Sequence, residues 1–155
     1  MTGLKILRQS AVEFMMKYWI NTVSRDHVVL GKEGSFVQAG HGKKQPLQKL
    51  SAGDLILFYS PRTAMEEGDL LQRFTAIAQV ADDAIYAVEL PKDFCPHRRN
   101  AQYFRCEETE IKPLLPQLSF IKNKTSWGFL FRFGLFEIPQ TDFEYIVQEM
   151  KAKLA

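Results

Sequence analysis

The sequence predicts an α+β fold: a small, highly curved β-barrel with a few short flanking helices and a C-terminal helix. Three observations predict it. Aromatic and β-branched runs of strand length recur along the chain, among them KYWINTV, DLILFYS and FTAIAQV, and such residues suit a pleated, half-buried surface. Turn residues (Ser51-Ala52-Gly53-Asp54, Pro61, Asp82-Asp83) punctuate these runs. A sustained helical stripe closes the chain. Strands this short leave edges exposed unless the sheet closes on itself, and that closure predicts the barrel.

Residues 17–23 form the first strand. Ser24 stands where it can cap the following helix, with Asp26 in the first turn, where the helix dipole favours a carboxylate. Val28, Val29 and Leu30 continue that helix, and Gly31 and Gly34 end it. Residues 35–39 make a second strand leading into a glycine- and lysine-rich loop, GHGKKQP. After the turn at 51–54, DLILFYS is a strong strand that Pro61 ends, because proline has no ladder donor. Residues 62–72 form an acidic loop. Residues 74–80 and 85–90 pair as a hairpin about Asp82-Asp83. A proline-punctuated region follows, in which His97, Arg98, Arg99 and Arg105 surround Tyr103. Pro113 opens one or two helical turns reaching residue 121. The loop KNKTS precedes Trp127, and FLFRFGLFEI at 129–138 reads as the last strand. Thr141 and Glu144 have capping-box spacing, and Phe143, Ile146, Val147, Met150 and Leu154 form the apolar stripe of the closing helix.

The chain has 155 residues, 46% apolar and 25% charged, which is enough to bury a real core in one domain. That domain is expected over 17–155, after an extension at 1–16. Leu4, Leu7, Ala11 and Phe14 fall at helical spacing in the extension, which reads either as a leader helix or as the product of a mis-assigned start before Met15 or Met16. Glu13 interrupts its apolar stretch, which argues against a secretory signal. The two cysteines, Cys95 and Cys106, form no disulfide framework and fit a reduced, cytoplasmic setting. No apolar run approaches the roughly 18–20 residues that span a bilayer. The formal charge is only +2, so a basic surface has to come from local clustering.

The segments YWINTVSRDHV (18–28), GSFVQAGHGK (34–43), GDLILFYSPR (53–62), FTAIAQV (74–80), RR (98–99), PLLPQLSFI (113–121) and WGFLFRFGLFEI (127–138) stand in the order found in EVE domains. The chain resembles that PUA-like family, which is related to the YTH domains that read N6-methyladenine in RNA. The resemblance implies a barrel with a pocket that accepts a modified base in DNA or RNA. Where YTH domains have asparagine this chain has Val23 and His27, and near their cage tryptophan it has Phe36 and Val37. The resemblance therefore carries the pocket and not the identity of the base.

A flipped base needs aromatic faces for stacking and polar groups for its edge. Trp19, Phe36, Tyr59 and Trp127 are the candidate walls; a single strand aromatic is more often ordinary core, and Phe36 and Trp127, beside glycines and polar loops, are the stronger pair. Asn21, Ser24, His27 and Gln38 are the polar candidates, carried over from the strand–helix junction of the YTH relatives. Ser24 reads at least as well as a helix cap and His27 as a structural residue, while Gln38 is either a solvent-facing strand residue or a bidentate partner for an adenine-like edge. His41, Lys43, Lys44, Arg62, Arg98, Arg99, Lys122, Lys124 and Arg132 are candidate phosphate contacts. GHGKK lacks P-loop spacing, and Cys95, His97 and Cys106 lack metal-site spacing. The expectation is a monomeric, non-catalytic nucleic-acid binder without cofactor, metal or membrane. The alternatives are a PUA-like ribonuclease and a nucleoside or metabolite sensor using the same pocket.

Overall fold

The computed structural model describes residues 16–154, so the leader helix of the extension lies outside the described residues. The architecture follows from strands buried on both faces. In β1 (Tyr18–Thr22) and β3 (Leu55–Arg62), successive side chains alternate between two separate cores. Tyr18, Ile20, Leu55, Leu57 and Tyr59 face a core closed by the C-terminal helix α3 (Gln140–Glu149) and the 3-10 segment Lys112–Gln117. Trp19, Ile56 and Phe58 face the second core, with Val28 of α1 (Arg25–Gly34) and Leu47 of α2 (Lys44–Gln48).

β1 runs parallel to β3, which requires a crossover, and α1, β2 (Phe36–Val37) and α2 supply it. β4 (Leu70–Ala87) is antiparallel to β3 and to β5 (His97–Tyr103), β6 (Thr109–Glu110) pairs β4, and β7 (Leu135–Ile138) is antiparallel to β1. The main path runs β2-β5-β4-β3-β1-β7. The α+β class is as expected, but the sheet does not close: among the described residues the path ends at β2 and β7. The edges are blunted by brevity instead, two residues in β2 and four in β7.

Several local expectations give way to tertiary structure. Residues 74–80 and 85–90 do not form a hairpin, because β4 continues through Asp82-Asp83 as a bulge and both halves pair with β5. The Asp82 carboxylate accepts from the Ala84 N–H and from Asn100 Nδ2, so the acidic pair ties the bulge instead of reversing the chain. The reversal comes at residues 91–93, where Lys92 and Asp93 take φ of 64° and 55° and Leu90 bridges Phe94. β5 itself, hidden in the proline-punctuated region, carries no strong apolar alternation.

Pro61 does not end β3 but sits at a register shift between Ser60 and Arg62, where no ladder donor is required. Only residues 36–37 of the expected 35–39 strand pair. The loop GHGKKQP folds into a 3-10 turn, Gly40–Gly42, and the start of α2. Residues 129–138 split into a 3-10 turn, Phe129–Phe133, and β7, with Gly134 at φ +77° between them. Helix α3 starts at Gln140 with Pro139 at its N-cap and no side-chain cap bond, so the Thr141/Glu144 box does not form. Asp142 is instead buried and accepts from Ser119 N, Ser119 Oγ and Phe120 N, pinning α3 to the residues that follow the 3-10 segment Lys112–Gln117. Gly31 does not end α1: a Cβ there would meet Tyr103 Oη at 2.6 Å and the Phe36 carbonyl at 2.7 Å, so glycine serves close packing inside the helix.

Candidate functional site

Where β1 hands over to α1, the chain leaves the sheet and opens a cavity of about 750 Å³, within the range of roughly 300–1,000 Å³ typical of ligand sites. Its walls come from Thr22, Val23, Ser24 and His27 at that junction, Phe36 and Gln38 around β2, the turn Gly40–Gly42, Pro61 and Arg62 at the end of β3, Tyr103 of β5, and residues 131–134. No carboxylate is among them. Met65, Phe94 and Phe133 line it as well, at 57%, 44% and 62% exposure. Large apolar side chains so exposed around one opening mark a binding surface more than a packing surface. His41, Arg62 and Arg132 add exposed basic groups.

The register of β2 on β5 decides which side chains reach this face. Phe36 pairs with Asn100 and Val37 with Arg99, so Phe36, Arg98 and Asn100 share one face while Val37 and Arg99 share the other. The Arg98 guanidinium lies 3.8 Å from the Phe36 ring centroid, and its Nε donates to Gln38 Oε1 at 2.7 Å. Gln38 therefore holds its acceptor end on Arg98 and has its amide N–H donors left to offer a ligand. Tyr103 Oη donates to the Phe36 carbonyl at 2.8 Å, and its ring stacks on Phe58 at 5.5 Å. Burial pushes the Tyr103 phenol above its ordinary pKa. Ser24 Oγ accepts from the His27 N–H as the cap of α1. The turn Gly40–Gly42 is left-handed throughout, with φ of 55°, 60° and 87°.

Of the sequence-predicted walls and readers, Ser24, His27, Phe36 and Gln38 line the cavity, as do His41, Arg62 and Arg132 of the basic set. The others do not. Trp19 is buried in the second core and donates from Nε1 to Asp54 Oδ2 at 3.0 Å. Asn21 is fully buried and donates from Nδ2 to the Gln38 carbonyl at 2.8 Å, so it holds the segment that presents Gln38. Tyr59 is core, its ring 4.3 Å from that of Phe131. Trp127 meets Tyr59 and Phe131 edge-on at 6.4 and 6.2 Å and lines a separate cavity of about 290 Å³ with Lys122. Arg99, predicted to reach phosphate, is 2% exposed and donates to the carbonyls of Leu47, Leu50 and Asp82. Lys43 and Lys44 are exposed at the start of α2, outside the lining, and Lys124 donates from Nζ to the Leu118 carbonyl at 2.6 Å. Tyr103, Phe94, Met65, Phe131 and Phe133 line the cavity without being among the sequence-predicted site residues. An apolar residue in an acidic loop, as Met65 is, was the available signal for one of them.

Among the described residues no group of three or more His, Cys, Asp or Glu side chains is placed to hold a metal ion, and no helix is long and apolar enough to cross a membrane. An open mixed sheet with a carboxylate-free cavity of this size where β1 turns into α1 defines a pocketed α+β domain. The chain belongs to the EVE domain family, whose family model matches residues 17–149. It is 56% identical over 135 residues to a UPF0310 protein of Mycolicibacterium vanbaalenii, covering 87% of this chain and 93% of that one. It is 41% identical over 138 residues to the UPF0310 protein YdcG of Bacillus subtilis, covering 89% and 94%. Among solved structures, it shares its fold with the YTH domain of Zygosaccharomyces rouxii MRB1 in complex with N6-methyladenosine RNA, at a TM-score of 0.55 and 14% identity, covering 87% and 86% of the two chains.

Proposed function

We propose that the chain is a monomeric, non-catalytic nucleic-acid-binding module whose principal cavity receives one modified or flipped-out base. The observation that carries the reading is the cavity itself. It joins aromatic surface (Phe36, Tyr103, Phe133) to polar side chains (Ser24, His27, Gln38), excludes carboxylates, and has His41, Arg62 and Arg132 as positive charge beside it. Stacking surface, edge-reading groups and phosphate partners are the three needs of a base drawn from its strand. The YTH domain of MRB1, on the same fold, is in complex with N6-methyladenosine RNA, which gives the reading a precedent. With Gln38 Oε1 engaged by Arg98, the pocket of this chain offers amide donors, and a base presenting carbonyl or ring-nitrogen acceptors fits it better than an adenine edge read bidentately.

The test is an affinity panel of short DNA and RNA strands with and without methylated, hydroxymethylated and deaminated bases, at two salt concentrations. Preference for one modified strand, weakening as salt rises and lost in Phe36→Ala, is the expected result. Flat, negligible binding across the panel rejects the reading and leaves a free nucleoside or metabolite as the ligand to pursue.

A further inference from the structure

The 3-10 turn Phe129–Phe133 stands between the two cavities and presents side chains to both. Phe131 points inward, 6% exposed, and with Phe133 lines the principal cavity. Phe129 and Leu130 line the second cavity together with Trp127 and Lys122. Phe129 and Phe133 meet edge to face with centroids 5.6 Å apart, yet they are 56% and 62% exposed. The Arg132 guanidinium lies 5.8 Å over the Phe129 ring. Two neighbouring phenylalanines left in water, Phe129 of them under an arginine, are poorly explained by packing, since each keeps most of its surface wet.

Charge is unevenly spread in the same region. Across the whole chain 20 Lys and Arg oppose 18 Asp and Glu, but between Glu110 and Glu137 there are four cations, Lys112, Lys122, Lys124 and Arg132, and no carboxylate. The loop that supplies Lys122 is ordered, because Asn123 Oδ1 accepts from the N–H groups of Thr125 and Ser126. Aromatic faces interleaved with cations, without acidic residues, are complementary to one kind of occupant: a strand carrying phosphates on one side and unpaired bases on the other. An acidic protein would use the charge and leave the rings wet.

We propose that the Phe129–Phe133 ridge and the cavity at Trp127 form a second subsite, which stacks the unpaired base flanking the one in the principal cavity, so that the chain grips single-stranded nucleic acid. This rests on reading the principal cavity as a base site. Arg132, on the crest, neutralises the phosphate between the two nucleotides, and Lys122 the next one. The subsite is tolerant of base identity, because stacking uses the face that every base has. A flanking base held against Trp127 is no longer paired, and duplex is therefore the poorer ligand.

The experiment uses fluorescently labelled ten-nucleotide DNA and RNA strands of mixed sequence, their duplexes, and an abasic strand, against the full chain. Trp19 is buried and Trp127 half-exposed, so quenching of tryptophan emission by a strand reports the second cavity, and Trp127→Phe removes it. The expected results are quenching by single strands but not by the abasic strand, weaker binding of duplex, and an affinity loss of about tenfold in Phe129→Ser. Phe129 is exposed, so that variant folds, which circular dichroism verifies. Whichever of the DNA and RNA strands binds more tightly names the polymer. The proposal is overturned if single strands bind without touching Trp127 emission, if the abasic strand or polyglutamate matches them, if Phe129→Ser binds as wild type, or if that variant changes the oligomeric state. Unchanged strand binding in Phe36→Ala, with Trp127 still quenched, rejects the principal-cavity reading alone.

Discussion

Of two adjacent arginines one has a structural role and the other a proposed role in binding, and replacing each by methionine distinguishes them. Arg99 is 2% exposed and donates to three carbonyls, those of Leu47, Leu50 and Asp82. These belong to α2, to the residue that follows it closely, and to the β4 bulge, so one side chain ties three segments to β5. Methionine keeps much of the stem volume and strands the carbonyls. A charged hydrogen bond contributes about 1.5–3 kcal/mol, but the three share one group, so the loss is closer to the roughly 3–5 kcal/mol of breaking a buried charged network. Against a typical domain stability of about 5–15 kcal/mol that is a large fraction, equivalent to about 10 °C in Tm for a chain of this size. Arg98 is half-buried, and Arg98→Met loses the contact with Phe36 and the bond to Gln38. That costs about 1 kcal/mol of stability. Its larger effect falls on binding, about tenfold, because Phe36 and Gln38 are no longer fixed. Urea unfolding gives the first quantity and strand titration of the folded proteins the second. Equal midpoints for Arg99→Met and wild type, or a binding defect that follows Arg99 and spares Arg98, would refute the argument.

Two further outcomes follow from the same geometry. The Asn100 amide first, then the Ala84 N–H and the Arg99 charge, hold the Asp82 carboxyl below the usual carboxylate range, partly opposed by desolvation. A depressed folded pKa contributes stability above the unfolded value and loses it as pH falls through the folded one. Wild type should therefore lose its margin over Asp82→Asn on acidification; a margin constant from neutral to acid pH, followed by thermal unfolding, contradicts this. In Gly31→Ala the new Cβ meets Tyr103 Oη at 2.6 Å and the Phe36 carbonyl at 2.7 Å, so the Tyr103–Phe36 bond must yield. The expected cost is about 1–3 kcal/mol, and an unchanged Tm shows that the helix can move aside.

The sequence by itself determined the elements whose signal is local. β1, β3 and the first half of β4 are aromatic and β-branched runs, Ser24 caps α1 from its own position, and the stripe of Phe143 and Ile146 on α3, continued by Met150 at its C-cap, is buried. The spaced motifs also carried the family, and with it the junction from which Ser24, His27, Phe36 and Gln38 reach the cavity. Tertiary structure decided where the remaining side chains go. Trp19 and Phe36 look alike as aromatic strand residues, yet Trp19 meets Asp54 in the core while Phe36 lies under Arg98 on the pocket face. Trp127, beside glycine and polar residues in the sequence, packs edge-on against Tyr59 and Phe131 outside the principal cavity. Arg98 and Arg99, on opposite faces of one strand, are indistinguishable as a basic pair until the register of β5 on β2 decides which of them meets Phe36 and which the core. The physical reason is common to all three. Composition fixes what a residue can do, whereas the choice between core, pocket and solvent depends on which distant element covers each face of its strand.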